Sequence, residues 1–129
     1  MSNSINIPGN HLTSVEMLSF TTFQNELRYV ARFIAAAVPA IPAVTPLDAV
    51  VNAIRRNPAL SQARLLTRVL AAYIGRQVSF RSAEVAAFDR EHLALMVALM
   101  NAHDAGSLNE KELVRAAEEA EAAQRDIDG

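Results

Sequence analysis

Apolar residues recur along this chain mostly at three- and four-residue steps, the spacing of one face of a helix. Phe20, Phe23, Leu27, Val30, Ile34 and Val38 form the first stripe, preceded by Thr13 and Glu16 in capping-box spacing and with a break expected near Ser19. The following segment, VPAIPAVTP, carries three prolines, which remove backbone donors and push the residues before them toward extended conformations. It is expected to be a stiff connector crossing one end of the fold. Thr45 and Pro46 then form an N-cap and first-turn pair, opening a short helix with the apolar face Leu47, Val50, Val51 and Ile54 that should stop at Asn57-Pro58.

Asn57-Pro58 or Ser61 starts the next helix, whose stripe of Leu65, Leu66, Val69, Leu70, Tyr73 and Ile74 runs to a stop at Gly75. After the connector RQVSF, Ser82 is placed to cap a long helix over roughly residues 83-104. Two stripes coexist there, Val85, Phe88, His92, Leu95 and Leu99 beside Leu93, Met96, Val97 and Met100, and a helix apolar over so much of its circumference belongs in the core. Gly106 ends it, and Ser107 or Asn109 caps a last helix with Leu113 and Val114 as its only large apolar residues before AAEEAEAAQRDIDG. Alanine favours helix but buries little, so the turns over about 122–129 are expected to fray, and residues 1–12 to form a flexible or extended arm. No stretch sustains a period of two, so no strand is predicted. The expected fold is all-α: a compact bundle of about five helices with a long central helix.

Composition narrows this further. At 129 residues, 51% apolar and 20% charged, the chain has the size and balance of one folded domain. It contains no cysteine, which excludes disulfides, thiolate metal sites and cysteine nucleophiles. The N-terminus has no basic segment leading into an apolar one, and the apolar run from Phe33 to Leu47 is short and broken by prolines. A cytoplasmic protein without a membrane role is expected.

Candidate chemistry is sparse. In MNAHDAGSLNEKELV, Gly106, Leu108 and Glu112 resemble the sixth, eighth and twelfth positions of an EF-hand calcium loop. The first, third and fifth would then be Asn101, His103 and Ala105; neither His103 nor Ala105 offers the oxygen that calcium requires, so no calcium binding is expected. His92 and His103 lie eleven residues apart, about 16 Å along a helix axis, too far to share a metal. His92, in an apolar stripe, reads as a packed core residue, and His11 has no visible partner. No phosphate loop, HExxH or GxSxG pattern occurs, so neither catalysis nor a cofactor is expected.

Charge is more informative. The net charge of −2 conceals a +6 stretch from Ala49 to Ala83, in which Arg55, Arg56, Arg64, Arg68, Arg76 and Arg81 meet no acid, and a −7 stretch from Glu84 onward. One reading takes AIRRNPALSQARLLTRVL as a helix-turn-helix within residues 46–74, with Ser61, Gln62, Arg64, Thr67 and Arg68 facing DNA. Its Asn-Pro turn lacks the usual glycine, and the protein is acidic overall. The other gives Arg55, Arg56, Arg64 and Arg68 to a protein contact surface or to pairing with the acidic tail, since the guanidinium fork recognises carboxylates well. The expectation is a noncatalytic protein-interaction module, an adaptor, inhibitor or homodimeric unit, with DNA binding as the alternative.

Overall fold

Helix starts and stops fall largely where local chemistry puts them. The computed structural model describes residues 16–34 and 45–128, and among them are five α-helices: α1 (Phe20–Ile34), α2 (Pro46–Arg56), α3 (Ser61–Tyr73), α4 (Arg90–Asp104) and α5 (Glu110–Asp128). The expected N-terminal arm, the Thr13 capping position and the first two prolines of the connector lie outside the described residues. The Asp48 amide donates to Thr45 Oγ1 at 3.2 Å with Pro46 in the first turn, as the sequence predicts, and α2 ends at Arg56 before Asn57. Ser19 caps α1 by accepting the Thr22 amide at 3.1 Å, so the break expected there is the start of the helix itself. At α3 the flanking residue is Leu60, with no side-chain cap, rather than Ser61.

Both glycine stops are left-handed turns closed by the same pair of hydrogen bonds. At Gly106 (φ 72°) the glycine amide donates to the His103 carbonyl at 3.0 Å and the Ser107 amide to the Ala102 carbonyl at 2.9 Å. At Gly75 (φ 88°) the partners are the Ala72 carbonyl at 3.1 Å and, for the Arg76 amide, the Ala71 carbonyl at 3.0 Å. These bonds satisfy last-turn carbonyls, and only glycine enters the required φ without a steric penalty. Asn109 then starts α5, its Oδ1 accepting the Lys111 amide at 2.8 Å. The segment that resembles a calcium loop is thus built as a helix stop joined to a helix start.

The long helix expected over residues 83-104 is two elements. Ser82–Ala86 is a 3₁₀ turn, and the α-helix begins only at Arg90. The cause is tertiary. The Asp89 amide, which a continuous helix would bond internally, donates to Gln62 Oε1 on α3, and Asp89 Oδ1 accepts the His92 amide at 2.8 Å as an N-cap. Upstream, residues 17–18 (β1) pair antiparallel with residues 80–81 (β2), Met17 opposite Arg81 and Leu18 opposite Phe80, and the Ser82 amide donates to the Glu16 carbonyl at 2.8 Å. Two residues per strand are too few for a period of two to show in the sequence.

α4 is buried along much of its circumference, as its double stripe predicts, and lies against α1 and α2. α2 packs on α3, α4 and α5 through Leu47, Val50, Val51 and Ile54. α5 meets α2 and α3 with Leu113, Ala116, Ala117 and Ala120, a three-and-four-step face of mostly single methyl groups. Small residues let helix axes approach closely, so α5 is held along a face that carries little apolar bulk. It runs as helix to Asp128, through the turns where fraying is expected. At the other end of the core, Phe80 stacks on Phe23 with ring centroids 4.2 Å apart and on Phe20 at 5.6 Å, joining α1 to the β2 turn.

Candidate interaction surfaces

The arginine-rich middle of the chain is folded against the acidic remainder. Arg64 on α3 forks onto Asp128 at the end of α5, at 2.9 and 3.2 Å. Arg68, one turn further, forks onto Glu84 at 2.6 and 3.0 Å, donates to the Ser79 carbonyl and lies 5.0 Å above the Phe80 ring. Arg76 meets Glu121 at 2.8 Å, Arg81 meets Glu84 at 3.6 Å and Arg56 approaches Glu91 at 3.8 Å. Arg55 is exposed, with no ion-pair partner among the described residues. Of the four candidate arginines, three therefore sit on the protein's own carboxylates.

Glu84 organises this region. Its side chain is 12% exposed and accepts from Arg68 and from the Arg81 amide at 2.8 Å. Burial pushes its carboxyl up, but the Arg68 hydrogen bonds, the Arg81 amide and the two guanidinium charges outweigh that and hold it below the ordinary glutamate value. Asp128 is likewise held below the ordinary aspartate value, chiefly by its hydrogen bonds from Arg64. Around Glu84, Ser61, Arg64, Thr67, Arg68, Arg81 and Gln124 line an open cavity of about 410 Å³.

Of the other residues that a helix-turn-helix would turn toward DNA, Gln62 and Thr67 are also engaged, whereas Ser61 is exposed. Gln62 holds Asp89 through both its amide groups. Thr67 is buried and donates to the Ala63 carbonyl at 2.8 Å, and Gln124 of α5 donates to the Pro58 carbonyl in the α2–α3 turn at 3.0 Å. α5 thus lies along the helix that would have to enter a groove.

Of the three histidines, His92 and His103 lie within the described residues and His11 lies outside them. His92 is buried, and its Nδ1 lies 2.8 Å from Asp89 Oδ1, three residues back and one helical turn away. Burial raises the Asp89 carboxyl, yet the hydrogen bonds from the His92 amide, the His92 ring and Gln62 leave it below its ordinary value. His103 is about half exposed, its ring centroid 4.5 Å from that of Tyr73. The Tyr73 hydroxyl donates to Gln24 Oε1 at 2.8 Å, and burial, with Asp104 nearby, pushes its pKa up to about 12. Among the described residues no group of three or more His, Asp or Glu side chains is arranged to hold a metal ion.

The outer side of α1 is different. Tyr29 is 57% and Phe33 73% exposed, their rings meeting edge to face at 5.1 Å. Thr22, Asn25 and Arg32 are exposed on the same side, with Glu26 half-buried at its border. The side chains of Glu26 and Arg32 meet no ion-pair or hydrogen-bond partner among the described residues. This surface was legible but unread: Tyr29 and Phe33 stand one turn apart and both fall off the Phe20, Phe23, Leu27, Val30 stripe. No protein-family model, curated protein or solved structure matches this chain. No described helix is long and apolar enough to cross a membrane.

Proposed function

We propose that this protein is a noncatalytic protein-interaction module that engages its partner through the outer face of α1. The observation that carries this reading is the exposed Tyr29–Phe33 pair, two of the seven aromatic residues in the chain, on one open helix side. Aromatic side chains bring large contact area at low entropic cost, and they are enriched at protein interfaces relative to the rest of a surface. The arginines favour this surface over their own, because most of them already hold carboxylates within the fold. The DNA-binding alternative asks more of the protein: Arg64 and Arg68 would exchange Asp128 and Glu84 for phosphates, and α5 would leave α3.

A site-specific photo-crosslink tests the proposal. With p-benzoylphenylalanine in place of Phe33, irradiation of cells that express the protein should give a discrete protein adduct, identified by mass spectrometry. The same group in place of Ile127, an exposed apolar residue at the far end of α5, should give none. Equal adduct formation at both positions, or none at either, overturns the reading.

A further inference from the structure

The cavity beside Glu84 gathers more positive charge than the fold consumes. Three guanidinium groups, those of Arg64, Arg68 and Arg81, line it and share two carboxylates, Glu84 and Asp128. Arg68 is engaged twice, forked onto Glu84 and donating to the Ser79 carbonyl. Arg81 is freer: its side chain is 60% exposed, and Glu84, its ion-pair partner among the described residues, lies 3.6 Å away, longer than a hydrogen bond. Arg64 is committed to Asp128 alone, in an exposed fork at the last turn of α5. Ser61 lies in the same wall, exposed, with no hydrogen-bond partner for its hydroxyl among the described residues. It opens α3, where Leu60 provides no side-chain cap.

We propose that this cavity binds the phosphate group of a small molecule, held by Arg81, Arg64 and the Ser61 hydroxyl, with Asp128 as the internal carboxylate that competes for Arg64. The free groups are donors, and a guanidinium fork matches an oxyanion by binding two of its oxygens at once. Asp128 already displays that chemistry, since its two oxygens take the Arg64 fork. A carboxylate is satisfied by one fork, whereas a phosphate group brings three oxygens and nearly two negative charges to donors supplied by two elements, α3 and β2. At about 410 Å³ the cavity falls within the ~300–1,000 Å³ of small-ligand sites, so it has room for a phosphate and what it is attached to. Gln124 of α5 lies in its wall and bonds the α2–α3 turn, so a phosphate on a small molecule reaches the arginines, whereas a duplex backbone would first have to displace α5. The site is independent of the proposed role of α1.

Titration of the isotope-labelled chain at constant ionic strength, followed by NMR, tests the site. Inorganic phosphate and glycerol phosphate are the probes, with sodium acetate, sodium chloride and duplex DNA beside them. At least one phosphate should give saturable shifts at the amides of Ser61 and Arg81 and at the Nε groups of Arg64 and Arg81, and whichever phosphate binds more tightly identifies its source as the free ion or an organic monoester. Arg81→Ala should weaken binding about tenfold or more, the loss expected for hydrogen bonds to a charged group. Asp128→Asn, which frees the Arg64 fork, should tighten it by about two- to fivefold, the scale of an exposed ion pair. Arg55→Ala removes an exposed arginine outside the cavity and should leave binding as it is. Unchanged melting curves would establish that the variants are folded. Shifts no larger than those with sodium chloride, acetate binding as tightly as phosphate, equal losses in Arg81→Ala and Arg55→Ala, or no tightening in Asp128→Asn would each overturn the proposal. Duplex DNA that moves the same groups more strongly than either phosphate would overturn it in favour of a nucleic-acid surface.

Discussion

Two regions of this protein carry aromatic and charged side chains in similar number, and the fold uses them in opposite ways. Around β2, Phe80 is sealed between Phe20 and Phe23, Arg68 lies over its ring, and Glu84 gathers Arg68 and Arg81. On the outer side of α1, Phe33 and Tyr29 touch mainly each other, and Glu26 and Arg32 point away from any described acceptor or donor. Identical chemistry closes the domain in one place and stays open in the other. What separates them is whether a second element covers the residues: β1, α1 and the 3₁₀ turn enclose Phe80, whereas no described element lies over Phe33.

The largest effect expected from breaking this contrast comes from one phenylalanine in each region. Phe80→Ala should lower the unfolding free energy by about 3–5 kcal/mol, since it removes a fully buried ring and leaves a cavity against Phe23 and beneath Arg68. Phe33→Ala should change it by no more than about 0.5 kcal/mol, as for an ordinary surface position. Urea titrations of both variants, read by circular dichroism, measure the difference. Comparable losses would mean that the α1 face is covered by the protein's own chain and is no open surface.

The carboxylates give the next effect. Glu84→Gln leaves Arg68 and Arg81 without their shared charge and should cost about 1–2 kcal/mol at neutral pH, the range for hydrogen bonds to a charged group that is not fully buried. Glu26→Gln should be neutral for stability. Because the Glu84 carboxyl is lowered in the folded state, its contribution is present above the ordinary glutamate pKa of 4.5 and is lost as pH falls through the lower folded value. The stability gap between native chain and Glu84→Gln should therefore be constant from pH 7 to about 5 and narrow at more acid pH. A gap that stays constant through the acid range would show that Glu84 acts through packing and not through its charge, and one that widens would show that the fold raises its carboxyl.

The local grammar of this fold was readable in the sequence because it depends on neighbours. Thr45-Pro46 starts α2, Asn57 stops it, Gly75 and Gly106 stop α3 and α4, and Asn109 starts α5, each through bonds that span a few residues. What escaped is tertiary. The start of α4 depends on Gln62, twenty-seven residues away, and α5 is held by alanines whose value lies in how closely they let helices approach, which no apolar stripe registers. The charge asymmetry did point to pairing, but sequence offers no means of matching Arg64 to Asp128 across sixty-four residues. The α1 face was missed for a simpler reason: attention to the core stripe hides the apolar residues that fall off it.

Arg64→Ala should have the smallest effect, and it separates a clasp from a keystone. The Arg64–Asp128 fork is bidentate, yet both side chains are about half exposed and it ties down only the last turn of α5. Exposed pairs of this kind are weakened by salt and by the entropy of holding two long side chains in one geometry. The overall urea midpoint should stay where it is, while backbone amides of residues 125–128 exchange with solvent faster at low salt, a difference that vanishes at high salt. If Arg64→Ala shifted the global midpoint as far as Glu84→Gln does, the last turn would be part of the cooperative core. The charged region around β2 would then extend to the end of α5, and the contrast with α1 would grow sharper, since one side of the molecule would be ion-paired along its whole length.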